Sequence, residues 1–174
     1  SSAVGAHLVM IGILPTLAQG HMAPHAISAN PRYRLLSEQI LEARGEDIVI
    51  SIAGSEERLE TTSESILPEA ACTSTQFHVQ TSPEDFPEYW NASQVISGVQ
   101  LALGANSPYL LGKLLWRETR IPLFEQAADT RSEELKAQGV RPRVWFGERW
   151  ATSVFDPLEE NVRSFPALLP ITDD

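Results

Sequence analysis

Apolar positions along the chain recur with two different periods, which predicts a mixture of strands and helices. A continuous apolar run at 8–14, ended by Pro15, is typical of a central β-strand. Residues 47–53 alternate between apolar and polar positions, and residues 71–80 do the same. The polar stretch between them, 54–68, predicts a hairpin or loop. The pattern therefore predicts at least three strands.

Helical spacing or a helix-start signal marks four other segments. Apolar residues recur at helical spacing over 32–43, and Gly45 follows as a stop signal. A capping serine and a proline open a long amphipathic segment over 82–104. A capping box predicts a short helix within 130–139, and a last helix is predicted over 156–166. With the strands, these helices predict one α+β domain over residues 1–174.

The composition indicates which kinds of partner the protein does not bind and in which cellular compartment it works. The chain has 174 residues, a formal net charge of -10 and a pI near 4.8. An acidic chain is a poor match for nucleic acid or an anionic membrane, and the run at 8–14 is too short to span a bilayer. The only cysteine, Cys72, excludes an internal disulfide and favours a reducing, cytoplasmic setting. Its apolar surroundings in sequence predict an inert core thiol.

Three polar side chains share one face of the alternating segment at 71–80. Gln76, His78 and Gln80 fall on one side, and Phe77 and Val79 fall on the other. A half-buried sheet shows this pattern when its outer face is simply solvated. The alternative is a polar sheet floor that binds a metal or a nucleotide. The pattern alone leaves both possibilities open.

Arginines are concentrated after the long amphipathic segment. Asn106 and Ser107 end that segment, and Arg117 and Arg120 follow them. Most of the arginines in this region have acidic neighbours, such as Glu118, and fit surface ion pairs. Arg120 lies beside apolar residues, where a guanidinium is costly unless it meets an anion. The stretch is therefore a candidate site for a carboxylate or phosphate group.

Familiar motifs of other chemistries are missing from the sequence. His21 and His25 are four apart, but a proline lies between them, which argues against a zinc-binding helix. The sequence also lacks a Walker or Rossmann glycine pattern and a Gly-x-Ser-x-Gly motif.

An ordered set of motifs lies at His7 to Pro15, Asn30 to Tyr33, Cys72 to Gln80, Gly104 to Pro108 and Arg120 to Arg131, and it continues to Pro170. The set resembles one known family, the type 2 glutamate–cysteine ligases, also called carboxylate–amine ligases. The tail over 138–169 looks most like the large actinobacterial members.

The resemblance implies a fold and a reaction. The fold is a curved antiparallel sheet with helices packed behind it, as in glutamine synthetase and the guanidino kinases. The reaction joins the γ-carboxylate of glutamate to the amine of cysteine, as in glutathione-type thiol biosynthesis. It uses ATP and Mg²⁺ and passes through an acyl phosphate. The implied partners are the small molecules glutamate, cysteine and ATP.

The resemblance also implies roles for particular residues. Gln76 and Gln80 would contact the nucleotide, and His78 would contact metal. Arg32 and Arg120 would bind the α-carboxylate of glutamate. Asn106 and Ser107 would also bind substrate. Arg117 and Arg120 would be the catalytic residues, whose positive charges stabilise the transition state.

One departure from the family pattern concerns the metal. Family members carry acidic metal ligands on flanking strands, but no strand here begins with Glu-x-Glu, and Asp47 and Glu60 are weak substitutes. The chain is therefore expected to be an incomplete catalytic domain, inactive alone. Two alternatives remain open. One is a non-catalytic domain that binds an amino acid or a partner, and the other is a ligase with a different acceptor amine.

Overall fold

The computed structural model describes residues 4–169. Within these residues the structure has two antiparallel hairpins, six α-helices and two one-turn 3-10 helices at Gln19–His21 and Pro24–Ala26, so the α+β class predicted from sequence is confirmed. The elements in chain order are α1 Pro31–Arg44, β1 Ile48–Ala53, β2 Arg58–Ser63, α2 Leu67–Ala70, α3 Phe86–Gly104, β3 Tyr109–Leu110, β4 Lys113–Leu114, α4 Arg120–Ala127, α5 Glu133–Ala137 and α6 Asp156–Ser164. None of these helices is both long and apolar enough to cross a bilayer.

The core is built around β1 and its antiparallel partner β2. Ile48 pairs with Ser63 at one end and Ile52 pairs with Leu59 near the other. The side chains of β1 alternate strictly between buried and exposed, as its sequence predicts. Helix α4 packs against β1. The buried cluster consists of Ile13, Ile40, Ile48, Ile50, Ile52, Leu59, Ile66, Leu110, Leu115, Leu123 and Ala127.

A glutamine side chain covers the second edge of β1. The Ser51 N–H donates to Gln126 Oε1 at 2.7 Å, and Gln126 Nε2 donates to the Ser51 carbonyl oxygen at 3.2 Å. The amide of a helix residue thereby takes the place of a third strand at this point. It also fixes α4 relative to the strand, and α4 begins with Arg120.

Several elements form where the sequence predicts them. Helix α1 ends at Arg44 before Gly45, and α6 begins at Asp156. The predicted polar hairpin becomes β2 and the short helix α2. In the predicted capping box, Ser132 is the residue that caps α5: its Oγ accepts from the Leu135 N–H at 3.4 Å.

Two predicted strands are wrong. The run at 8–14 is irregular, and only its Ile11 to Ile13 part is withdrawn from solvent, whereas Leu8 is 89% exposed. Its carbonyl groups accept hydrogen bonds from the Thr73 N–H and from side chains instead of from a neighbouring strand. The segment at 71–80 is also irregular from Thr73 onward, and Phe77 is 90% exposed. The continuous apolar run of the first segment and the alternation of the second both predict a strand, but neither segment finds a sheet partner.

Helix α3 begins later than predicted and buries little of its apolar face. Ser82 and Asp85 bond to each other in a turn before the helix, which starts at Phe86. No residue of α3 is fully buried, and the exposed apolar residues on it include Tyr89, Trp90, Val95, Ile96, Val99, Leu101 and Leu103.

Candidate functional site

A groove of about 710 Å³ lies where the first irregular segment meets the second, beside the end of α3 and the start of α4. Both segments that fail to form strands therefore contribute to one concave surface. Its lining is Val9, Met10, Ile11, Thr73, Ser74, Thr75, Phe77, Gln100, Leu103, Gly104, Asn106 and Arg120. Arg120 is the charged side chain among them, and the rest of the lining is a mixture of apolar and uncharged polar residues.

Arg120 is held rigidly at this wall. Its Nε donates to Glu118 Oε1 at 2.6 Å and its Nη2 donates to Glu118 Oε2 at 2.7 Å. On the other side, Nη1 donates to the Thr73 carbonyl oxygen at 2.5 Å. The Arg120 side chain is 25% exposed, while that of Glu118 is 7% exposed. A bidentate pair with a buried partner fixes the plane of the guanidinium.

Glu118 is supported in turn by Ser107. The Ser107 hydroxyl donates to Glu118 Oε1, and the two backbones also form an isolated bridge. Burial by itself raises the pKa of the Glu118 carboxyl. Hydrogen bonds from Arg120 and Ser107 and the charge of Arg120 outweigh this effect and hold the pKa below its ordinary value. Glu118 is therefore ionised at neutral pH.

Gly12 allows the close approach of Arg120 to the first irregular segment. A Cβ atom at position 12 would lie 2.5 Å from Nε and 2.8 Å from Cζ of Arg120. Thr73 bonds to the same segment, with its N–H donating to the Gly12 carbonyl at 2.8 Å and its hydroxyl to the Ile11 carbonyl at 2.7 Å. The two irregular segments are therefore hydrogen-bonded to each other, and the Arg120 guanidinium packs against both of them.

Two donors of Arg120 remain for a ligand. An arginine side chain has five N–H donors, and the Glu118 and Thr73 contacts use three of them. The remaining ones lie on the two terminal nitrogens, on a residue that lines the groove. Asn106 adds a second polar group: its Nδ2 donates to the Met10 carbonyl at 3.1 Å, which leaves the other amide N–H. This set can bind a carboxylate or a phosphate.

Cys72 lies behind the groove. Burial raises the pKa of its thiol to about 12, although the positive charge of Arg120 acts in the opposite direction. Its Sγ is 3.7 Å from the carbonyl oxygen of Pro68. A thiol with this pKa is protonated at neutral pH, which fits the inert cysteine predicted from sequence.

The structure brings only part of the predicted site together. Arg120 and Asn106 line the groove. Ser107 is fully buried and reaches the groove only through Glu118. Arg117 is exposed and lies outside the lining, although its carbonyl accepts from the Ser107 N–H at 3.0 Å. Arg32 is exposed on α1 and also lies outside the lining.

The expected polar sheet floor is not a sheet. Gln76, His78 and Gln80 are all exposed on the irregular segment, and the residues of this segment that line the groove include Thr75 and Phe77 instead. Across residues 4–169, no three histidine, cysteine, aspartate or glutamate side chains come together in a way that could hold a metal ion. His78 is therefore not part of such a group within these residues.

Sequence reasoning missed Glu118 as a site residue and counted it as a surface ion-pair partner. A signal was present, because a glutamate two residues before the arginine can form a local bidentate pair. Asp129 and Arg131 repeat this arrangement, with Nε to Oδ1 at 2.9 Å and Nη2 to Oδ2 at 2.8 Å. The burial of Glu118 could not be read from spacing, since it depends on Ser107 and the core beneath.

A fixed guanidinium in a groove with polar uncharged groups defines a protein equipped to bind small anionic molecules. The sequence of residues 1–139 matches the model of Glutamate-cysteine ligase family 2, and the chain belongs to this family. The family predicted from the sequence is thereby confirmed, and the chain is placed with ligases of the glutamate–cysteine ligase type, while the likeness of the tail over 138–169 to the actinobacterial members stays a prediction. Comparisons with curated proteins and with solved structures gave no match.

Proposed function

We propose that the protein is part of an ATP-dependent ligase that joins the γ-carboxylate of glutamate to the amine of cysteine, and that the Arg120 groove binds the glutamate α-carboxylate. The family match supports the reaction class. The observation that carries the binding role is the orientation of Arg120, whose two remaining donors are fixed by Glu118 and Thr73. A preformed donor pair loses little side-chain entropy when it binds a carboxylate.

The groove has room for more than the carboxylate. Its volume of about 710 Å³ lies within the range of small-molecule sites. Asn106, Thr73 and Ser74 offer uncharged hydrogen-bonding groups next to Arg120, which suits an amino-acid backbone. In this proposal Arg120 contacts the substrate, while Glu118 and Ser107 are positioning residues.

ATP chemistry of this kind uses Mg²⁺, which prefers oxygen ligands. The described residues do not fit such a site, since no group of three or more histidine, cysteine, aspartate or glutamate side chains forms among them. No catalytic step is therefore assigned to a metal held by this chain. The contribution proposed for these residues is to bind and orient glutamate.

The test of the proposal separates binding from turnover. Binding is measured by calorimetry, with glutamate titrated into the purified chain. Turnover is measured as the formation of ADP and γ-glutamylcysteine when glutamate, cysteine, ATP and Mg²⁺ are present. We expect glutamate binding that depends on Arg120, with little or no product from this chain alone. Absence of glutamate binding would remove the proposed role of the groove. Strong product formation would show that the expected inactivity is wrong.

A second candidate is a non-catalytic domain of the same family that binds an amino acid or a partner. The absence of a group of three or more possible metal ligands within residues 4–169 favours it. The discriminating measurement is the same turnover assay on a longer chain that includes the neighbouring sequence of the parent protein. Glutamate binding without any product in that protein would support the binding domain, and a different preferred amine would support a ligase with another acceptor.

A further inference from the structure

The Arg120 groove contains a single charged side chain. Its lining within residues 4–169 includes Arg120 but no lysine, histidine, aspartate or glutamate and no second arginine. The guanidinium is partly exposed, and two of its N–H donors remain for a ligand. A ligand with one carboxylate therefore finds a cationic partner in the groove, whereas a second carboxylate on the same molecule finds none.

The charge of Arg120 is already balanced by Glu118. The two side chains form a bidentate pair, and the pKa of the Glu118 carboxyl is held below its ordinary value, so the pair as a whole is neutral at neutral pH. The whole chain has a formal net charge of -10. A ligand with a net negative charge is therefore repelled by the chain as a whole, and only close contact with the guanidinium attracts a carboxylate.

Exposed apolar side chains form another part of the lining. Val9, Met10 and Phe77 belong to the two irregular segments, and Leu103 lies near the end of α3. Because these side chains are exposed to solvent, an apolar group of a ligand that covers them removes apolar surface from water, which favours binding. A second carboxylate in the same place would lose hydration without gaining a charged partner.

The polar side chains of the lining do not replace a second cation, because they are uncharged. They are Thr73, Ser74, Thr75, Gln100 and Asn106. Part of their hydrogen-bonding capacity is used within the protein: Asn106 Nδ2 donates to the Met10 carbonyl at 3.1 Å, and the Thr73 hydroxyl donates to the Ile11 carbonyl at 2.7 Å. Hydroxyl and amide groups offer an amide both donors and acceptors, so they favour an uncharged amide at least as much as a carboxylate.

Given the carboxylate-binding role proposed above for Arg120, we propose that the groove accepts α-amino acids with an uncharged side chain at least as readily as glutamate. The ligand class is the α-amino acid with an apolar or amide side chain. One carboxylate binds the guanidinium, and the rest of the ligand lies against the apolar and uncharged polar lining. Selection for the γ-carboxylate of glutamate is then made by groups outside the groove.

The test is calorimetric titration of the purified chain with L-glutamate, L-glutamine, L-norleucine and L-norleucinamide, which lacks the carboxylate. L-Glutamine should bind at least as tightly as L-glutamate. L-Norleucine should bind roughly two- to fourfold more tightly than L-glutamine, because its side chain is apolar. L-Norleucinamide should bind roughly tenfold more weakly than L-norleucine or worse. Leu103→Ala should remove the advantage of L-norleucine over L-glutamine, whereas Leu101→Ala, on the same helix but outside the lining, is the matched control and should keep it.

The outcomes separate this selectivity from the glutamate site itself. Measurably tighter binding of L-glutamate than of L-glutamine would overturn the selectivity and leave the proposed glutamate site intact. Binding of the uncharged analogues without binding of L-glutamate would do the reverse. Equal affinity for L-norleucine and L-norleucinamide, or no binding of any of the four, would overturn both. If either leucine variant fails to fold in a thermal scan, the four ligands still decide the question on the unmodified chain.

Discussion

The guanidinium of Arg120 and the carboxylate of Glu118 form a bidentate pair two residues apart, with Nε to Oε1 at 2.6 Å and Nη2 to Oε2 at 2.7 Å. The carboxylate is buried and the guanidinium lines the groove. Glu118 therefore holds the pair in the protein interior, and Arg120 presents it to the groove.

Replacing Arg120 should weaken glutamate binding strongly. A charge-assisted contact contributes about 1.5–3 kcal/mol, so Arg120→Ala should raise the Kd for glutamate roughly ten- to a hundredfold. Arg120→Lys should restore only part of the affinity, because an ammonium cannot form the planar fork. Titration calorimetry of both variants provides the measurement.

Arg131 supplies the matched control for this substitution. It forms the same local bidentate pair, with Asp129, and its Nη1 also donates to a backbone carbonyl, that of Val140, at 2.5 Å. It lies outside the groove lining. Arg131→Ala should therefore lower stability about as much as Arg120→Ala without changing glutamate affinity. Equal loss of affinity in both variants would mean that Arg120 acts only through folding.

The stabilisation by the Glu118 pair should disappear in acid. The folded pKa of Glu118 lies below its ordinary value of 4.5. The contribution of the pair is therefore fully present above that value and is lost as the pH falls through the folded pKa. The difference in unfolding free energy between the unmodified chain and Glu118→Gln should be largest near neutral pH and shrink toward pH 3, as urea titrations at several pH values would measure.

Glu38 offers a control for the acid experiment. It forms an exposed ion pair with Arg34 at 3.8 Å on α1, and such pairs contribute little. Glu38→Gln should give a small difference at every pH. A pH-independent difference for Glu118→Gln would contradict the assignment of an ionised, paired carboxylate.

Gly12→Ala should displace Arg120. The new Cβ would overlap the guanidinium, which the Glu118 and Thr73 bonds prevent from moving away freely. We expect a loss of about 1–2 kcal/mol in stability, typical of overpacking, together with weaker glutamate binding. Gly98→Ala is the control: no atom lies within 4 Å of its added Cβ, and in helix α3 it should stabilise by about 0.5–1 kcal/mol. If Gly12→Ala bound glutamate normally, the close approach of Arg120 to Gly12 would not be needed for glutamate binding.

Cys72 should resist alkylation in the folded chain. With a pKa of about 12, roughly one thiol in ten thousand is a thiolate near pH 8. Iodoacetamide should therefore modify Cys72 slowly in buffer and rapidly in denaturant, as intact-mass spectrometry would show. Fast modification of the folded chain would argue against the burial that raises this pKa.

The sequence by itself determined those helices and strands whose defining signals lie within the segment. Helix α1, strand β1 and helix α6 formed close to their predicted bounds because a cap, a stop residue or strict alternation lies within each segment. The family was likewise recognisable from an ordered set of motifs. A guanidinium beside apolar residues also predicts a nearby anion, and the structure supplies one in Glu118, while substrate binding by Arg120 stays a prediction.

Only the tertiary structure decided the conformation of the two segments at 8–14 and 71–80. The residues of 8–14 and 71–80 have strand-like patterns, but a strand needs a partner edge, and sequence alternation does not supply one. Here the backbone groups near Gly12 and Thr73 bond to each other, to Asn106 and to Arg120. Contacts between residues 47 to 96 positions apart in the chain thus made a groove where a sheet was predicted. The burial of Glu118 beneath Arg120 likewise depends on packing, which spacing along the chain does not specify.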